Sequence, residues 1–286
     1  MATIQQLQRR IKTAQNVSKT TRAMQMIAAS KLKKAQDAAL ASRPYVDKLS
    51  TVTRGITTRV ESASLPAYMT ESTKTGKTLL VVIAPDKGLC GGLITNLAKE
   101  IIHRDNKNDI CVTVGKKIES TVVYLGRELI ASFPFGNTLP SFEVVYPISK
   151  MIDDYFLGGK VDKVEIISTH FVNIFTQKPQ LTKLLPIIPQ ELDGETEKKS
   201  SENHFELFEP DVETILPALL SRYIEMVIYQ EILESYLSEQ AARMLSMQNA
   251  TNNAKDIIED LRLEYNKSRQ AKITSELLDI TGGLSA

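Results

Sequence analysis

The sequence predicts an α/β central domain, Rossmann-like with a mostly parallel sheet, and a long antiparallel α-helical coiled coil formed by the N- and C-terminal helices. Three observations carry this. Apolar and small residues recur at gaps of three and four through both ends of the chain. Strand and helix patterns alternate between those ends. The ends also differ in charge: residues 1–60 hold 12 Lys/Arg against Asp37 and Asp47, a net +10, while residues 208–286 carry −6 and residues 61–207 carry −3. A basic and an acidic helix in one chain are suited to lie against each other in opposite directions. The expected divisions are 1–60, 61–208 and 209–286.

The N-terminal helix is read from Leu7, Ile11, Ala14, Val17, Thr21, Met24, Ala28, Leu32, Ala35 and Ala39, a seam that continues to Val60. Pro44 interrupts it, and because proline disfavours a helical residue before it, a kink or short break is expected near Arg43. Uninterrupted, such a helix spans on the order of 85 Å. The C-terminal run from about Val212 to Ile280 repeats the pattern through Leu216, Leu220, Val227, Leu237, Met244, Ile258 and Tyr265. Its Pro217 is expected in the first turn, where proline is tolerated. At on the order of 100 Å it outruns its partner, so part of it is expected to project alone.

Between Arg243 and Ala254 the seam gives way to Gln248, Thr251 and small side chains. Two readings stand side by side here: an ordinary solvated helix face, or a smooth surface that touches several partners without locking to any. Met24, Met26, Met244 and Met247 suit the second, because unbranched thioethers adapt to changing surroundings, although methionine at helical spacing is more often core.

In the middle, residues 77–84 form a continuous apolar run that reads as a buried parallel strand, followed by PDKGLCGG and a helix pattern, LITNLAKEII. Further strands are expected at Ile110–Val114 and Val164–Thr169, with GKKIESTVVYLGREL after the first of these. The polar segment 191–204 reads as an exposed loop or hairpin tip.

Two features invite a nucleotide-binding reading. Thr75-Gly76-Lys77-Thr78 resembles the end of a P-loop, but Glu71 stands where its first glycine is required and the motif precedes the strand instead of following it. The loop Asp86–Gly92 lies between strand and helix, where backbone N–H groups can hold an anion, yet its glycines also suit a tight turn. His103, His170 and His204 have no neighbours at ligand spacing and read as surface residues. Cys90 is either a thiol activated by Lys87 and a helix start or, preferably, a small buried side chain. Two cysteines make no disulfide framework. No stretch approaches the roughly 20 apolar residues that cross a bilayer. No catalytic, cofactor or metal residues are expected.

Four segments together resemble the gamma subunit of the rotary F-type ATP synthase: TTRAMQMIAASKLKKAQ at 20–36 with RPY at 43–45, PDKGLCGG at 85–92, ARMLSMQNATNNA at 242–254, and YNKSRQAKITSELLDITGGLSA at 265–286. The tail is the most specific of them. The resemblance implies a central rotor shaft inside a hexamer of alpha and beta subunits, with the α/β domain contacting the epsilon subunit and the c-ring of the membrane sector. Ion flow would turn ring and shaft, ATP chemistry would occur on the beta subunits, and the chain would regulate ATPase activity and ion flow without being an enzyme itself. The contact positions it implies are Arg22, Met24, Lys31, Arg243, Met244, Gln248, Arg269 and Gln270. Membrane contact would come only through the complex, at the cytoplasmic face of a bacterial inner membrane, an expectation that also rests on the absence of a transit peptide. Some photosynthetic members carry a cysteine-containing regulatory insertion; Cys90 in the glycine loop and Cys111 in a strand are no such pair, so thiol control of that kind is not expected.

Two rival classes follow from the residues alone. A nucleic-acid or scaffold coiled coil would use the +10 charge of residues 1–60 on phosphates, but an acidic partner helix would neutralise much of it. A nucleotide-dependent enzyme would be built on the middle domain.

Overall fold

A computed structural model describes residues 3–57, 66–70, 74–104, 108–188 and 211–283. The expected loop 191–204, with His204, and the helix end at Arg59 and Val60 lie outside the described residues. Ten elements carry the fold: α1 (Ile4–Thr57), β1 (Thr78–Ile83), α2 (Leu93–His103), β2 (Ile110–Val114), α3 (Glu119–Tyr124), β3 (Glu128–Phe133), α4 (Val145–Phe156), β4 (Lys163–Phe171), β5 (Gln177–Leu185) and α5 (Val212–Gly283).

The sheet order is β3-β2-β1-β4-β5. The first four strands are parallel and β5 runs antiparallel to β4 at the edge. Every residue of β1 and β2 is buried, which is why both read as unbroken apolar runs. Leu80 and Val82 of β1, Cys111 of β2 and Ile167 of β4 pack on one face with Leu93, Leu97 and Ile101 of α2 and with Ile118 and Val122 before and within α3. Arg104, Arg127, Asp109 and Glu165 form an ion-pair network where strands β2 and β3 begin, with the fully buried Asp109 carboxylate 2.6 Å from Arg104 Nε and 3.1 Å from Arg127 Nη1.

The chain divides into two compact units, one of residues 1–30 with 243–286 and one of residues 31–242. Each contains a piece of α1 and a piece of α5. In the first unit Thr21 meets Thr251; in the second, Ser42 meets Gln230 and Arg43 meets Glu234. Both long terminal helices expected from the sequence are present, and they meet in each unit.

Neither proline ends a helix. Helix α1 continues through Pro44 without a break. Proline frees the carbonyl of Leu40, four residues earlier, and Leu40 is exposed, so water can take the bond. Helix α5 starts at Val212, which puts Pro217 in its second turn and not its first, again on an exposed face.

Candidate partner interface

In the unit of residues 1–30 and 243–286, the apolar interior among the described residues is the seam between two helices. Leu7 and Ala28 of α1 and Met247, Ala254 and Ile258 of α5 are buried along it. The buried Thr251 hydroxyl lies 2.7 Å from that of Thr21 and donates to the Met247 carbonyl, also at 2.7 Å. Since both helices rise about 1.5 Å per residue, this pairing sets Met24 level with Gln248. Of the methionines, Met247 is core, Met24 and Met244 are half-buried and Met26 is 59 % exposed. Met247 thus fits the core reading, while Met26 lies on the surface.

Seven of the eight expected contact residues belong to this unit. Arg22, Gln248, Arg269 and Gln270 are exposed, while Met24, Arg243 and Met244 are half-buried. Every residue from Arg269 to Leu278 is exposed, as expected for an α5 end that outruns α1. Lys31 falls in the other unit, and its ammonium donates to the Asn137 carbonyl at 2.5 Å, so it holds a neighbouring loop of its own chain. This unit also exposes Val17, Met26, Ile27, Ile257, Leu263, Ile273, Leu277 and Leu278. These side chains make apolar patches on the surface of the two helices.

In the unit of residues 31–242, the strand order reverses between β1 and β4, the point at which doubly wound sheets hold their ligands. Here α5 fills that place. Ser235 Oγ accepts from the Thr169 N–H at 3.2 Å and Ser238 Oγ donates to the Thr169 carbonyl at 3.0 Å. Glu234 accepts from His170 Nδ1 at 2.8 Å and from Arg43 Nη2 at 2.5 Å. Glu231 accepts from Ser168 Oγ at 2.5 Å and from Thr182 Oγ1 at 3.2 Å, and burial pushes its carboxyl above the usual carboxylate range. His170, expected as a plain surface residue, is therefore part of a polar junction. Sequence reasoning missed this junction, although Glu231, Glu234, Ser235 and Ser238 share the spacing of one helix face.

Of the two features that invite a nucleotide-binding reading, the first is closed by a carboxylate of the chain itself, and the second supplies a carboxylate that binds neighbouring segments. Asp162 accepts from the Thr75 and Gly76 N–H groups at 2.9 and 2.6 Å, which places an acid where a P-loop would hold phosphate. In the glycine loop, Asp86 accepts from Lys116 N–H at 3.0 Å and Gly136 N–H at 2.8 Å, tying together the segments that follow β1, β2 and β3. Gly115 is required beside it, because a Cβ there would sit 1.8 Å from the Ala84 oxygen. The glycine loop is a structural turn. It presents Leu89, 62 % exposed, in a left-handed conformation at φ 66°. Cys90 and Cys111 are both buried, and burial pushes the Cys111 thiol up to about 11. Among the described residues no group of three or more His, Cys, Asp or Glu could hold a metal ion. No described helix is long and apolar enough to cross a membrane.

A family model described as ATP synthase matches residues 3–286. The chain is 41 % identical over 289 residues to the ATP synthase gamma chain of Dehalococcoides mccartyi, covering 100 % of this chain and 99 % of that one. It is 37 % identical over 295 residues to the ATP synthase gamma chain of Ruthia magnifica, with full coverage of both. Among solved structures, a chain of the Euglena gracilis mitochondrial ATP synthase, OSCP/F1/c-ring, matches with a TM-score of 0.71 at 18 % identity, covering 99 % of this chain and 93 % of that one. A chain of the Tetrahymena thermophila mitochondrial ATP synthase central stalk/c-ring matches with a TM-score of 0.60 at 25 % identity, covering 81 % and 99 %. On sequence and fold together, this chain belongs to the ATP synthase gamma chain family.

Proposed function

We propose that the chain is the central rotor of an F-type ATP synthase, coupling ion-driven rotation of a membrane c-ring to ATP synthesis and hydrolysis on beta subunits, and thereby regulating ATPase activity and ion flow. The observation that carries this reading is the unit of residues 1–30 and 243–286, a two-helix body that leaves Met26, Ile27, Leu263 and Leu278 more than half exposed. Such a surface is stable in water only when something else covers most of it. A hexamer of alpha and beta subunits around the helix pair is that cover. The α/β domain of residues 61–208 is then available to the epsilon subunit and the c-ring, with 1–60 and 209–286 as the two helical arms.

Rotation does its work by population shift. Each orientation must favour one conformation of a beta site over the others by contact energy, since equal contacts in every orientation would shift nothing. Arg22, Met24, Arg243, Met244, Gln248, Arg269 and Gln270 supply those unequal contacts, with Lys31 in a supporting role given its bond to Asn137. The nucleotide chemistry resides on the partners; here the Thr75 and Gly76 amides are taken by Asp162, and α5 occupies the ligand crevice of the sheet. The chain reaches the membrane, on the cytoplasmic side of a bacterial inner membrane, only through the complex.

Co-purification from detergent-solubilised membranes tests the reading. Recovery of the tagged chain with alpha, beta, epsilon and c subunits in a complex that hydrolyses ATP is expected. Recovery of the chain alone, or with nucleic acid, would overturn it.

A further inference from the structure

Helix α5 meets the sheet through a row of polar side chains where an apolar stripe would be the ordinary solution. Glu231, Glu234, Ser235 and Ser238 stand at i, i+3, i+4 and i+7, on one face of the helix. Each binds a different atom of the sheet. The parallel ladder between β1 and β4 ends at the pair Val82 and Ile167, so from Ser168 onward β4 has lost its strand neighbour on that side. The row takes the place of that neighbour. Thr169 gives its N–H to Ser235 and receives a bond from Ser238, and two residues on, the Phe171 N–H points at Glu234 at 3.4 Å. This is the two-residue alternation of a strand edge, matched by side chains of a helix. Glu231 spans β4 and β5 through Ser168 and Thr182. Glu234 adds α1 through Arg43 and is itself steadied by Gln230 at 3.4 Å.

Polar groups are a costly way to hold a helix on a sheet, and apolar replacements of buried charged groups are often neutral or stabilising. What apolar packing cannot supply is direction. The hydrophobic effect has no angular preference, so it resists separation and resists twist only weakly, whereas a hydrogen bond weakens steeply as its angle departs from linear. Helix α5 continues without interruption beyond Ala242 to Gly283, so a twist applied further along it reaches this row.

We propose that the row is a rotational key: it fixes the angle of α5 about its own axis against β4 and β5, so that torque carried by α5 enters the α/β domain without slip. Glu234, which joins α1, α5 and β4, is the central positioning residue. The proposal rests on the rotor reading above.

The test uses the assembled enzyme, with the hexamer immobilised and a bead attached to the rotor through Tyr124→Cys. Tyr124 is 89 % exposed and both native cysteines of this chain are buried, so one thiol of the chain reacts, with accessible cysteines of the other subunits replaced beforehand. The angular variance of the bead in the stalled rotor reports torsional stiffness. The triple variant E234Q/S235A/S238A is expected to widen that variance at least twofold, with an unchanged or higher melting temperature and near wild-type hydrolysis without load. Wild-type variance would overturn the proposal, as would a lower melting temperature with unchanged variance, which is the signature of a purely structural role. If the triple variant fails to assemble, the single variants H170A and S238A decide the matter: each is expected to widen the variance in part, and wild-type values in both overturn the key. Failure of the rotor reading is separable, because it shows in the wild-type chain, which would then not turn at all.

Discussion

Helix α5 lives in two environments, and the difference shows how one helix can be both anchored and available. From Ile232 to Ala242 every residue is buried, polar ones included. After Arg243 burial falls to Met247, Thr251, Ala254 and Ile258, at gaps of four, three and four. The first stretch is enclosed on all sides, as a helix in the middle of a domain must be. The second is buried only along a seam among the described residues, which leaves most of its circumference exposed. Yet the first stretch is the one that contains Glu234, Glu239 and Gln240, so burial and hydropathy part company where the helix is held most firmly.

Truncation at the centre of the enclosed stretch should have the largest effect. Tyr236 is 1 % exposed, packs against Phe135 at a ring distance of 6.1 Å and points its hydroxyl at the Asn137 carbonyl. Tyr236→Ala is expected to cost about 3–5 kcal/mol, the usual range for a buried aromatic, read by denaturant unfolding of the full chain. A loss below about 1 kcal/mol would mean the enclosure is looser than described. At the seam, Thr251→Val keeps the shape and removes the hydroxyl pair with Thr21, for an expected loss of about 1 kcal/mol in the same measurement.

The junction with the sheet gives a smaller effect of opposite sign. Glu231 has a raised carboxyl pKa because of burial, so the folded chain holds its proton to higher pH than the unfolded chain does. Wild-type stability therefore falls as pH climbs from about 4.3 through the raised value. Glu231→Gln removes that dependence. Its melting temperature should match wild type near pH 4 and exceed it by a few degrees near pH 8; a variant less stable at both would show that the charge is a net benefit. The smallest effect is expected at the exposed face of the second stretch. Leu263→Ser should change chain stability by less than about 0.5 kcal/mol, while lowering the yield of assembled complex, measured by co-purification with alpha and beta subunits.

The long helices were legible because their apolar spacing is regular and their ends differ in charge. Strands β1, β2 and β4 were legible as buried apolar runs. Strands β3 and β5 were not. Both are edges of the sheet: β3 is exposed or half-buried along its length, and β5 contains Lys178, Pro179 and Lys183, the residues that keep a sheet edge from recruiting further strands. Edge protection removes the alternation by which a strand is recognised. The expected contact positions rest on resemblance and not on residue chemistry, since exposed Arg, Gln and Met on a helix look alike whether or not a partner covers them. Lys31 illustrates this, because only coordinates reveal its bond to Asn137. The polar junction was written in the spacing of Glu231, Glu234, Ser235 and Ser238, but that spacing also describes any solvated helix face, and its meaning depends on a sheet assembled from residues sixty positions earlier.

Asp162, finally, gives the α/β domain a form of immunity. Because its carboxylate is part of the same folded chain as the Thr75 and Gly76 amides it binds, its effective concentration there is fixed by the fold and far exceeds that of any dissolved phosphate. Dissolved anions therefore compete poorly for those two amides.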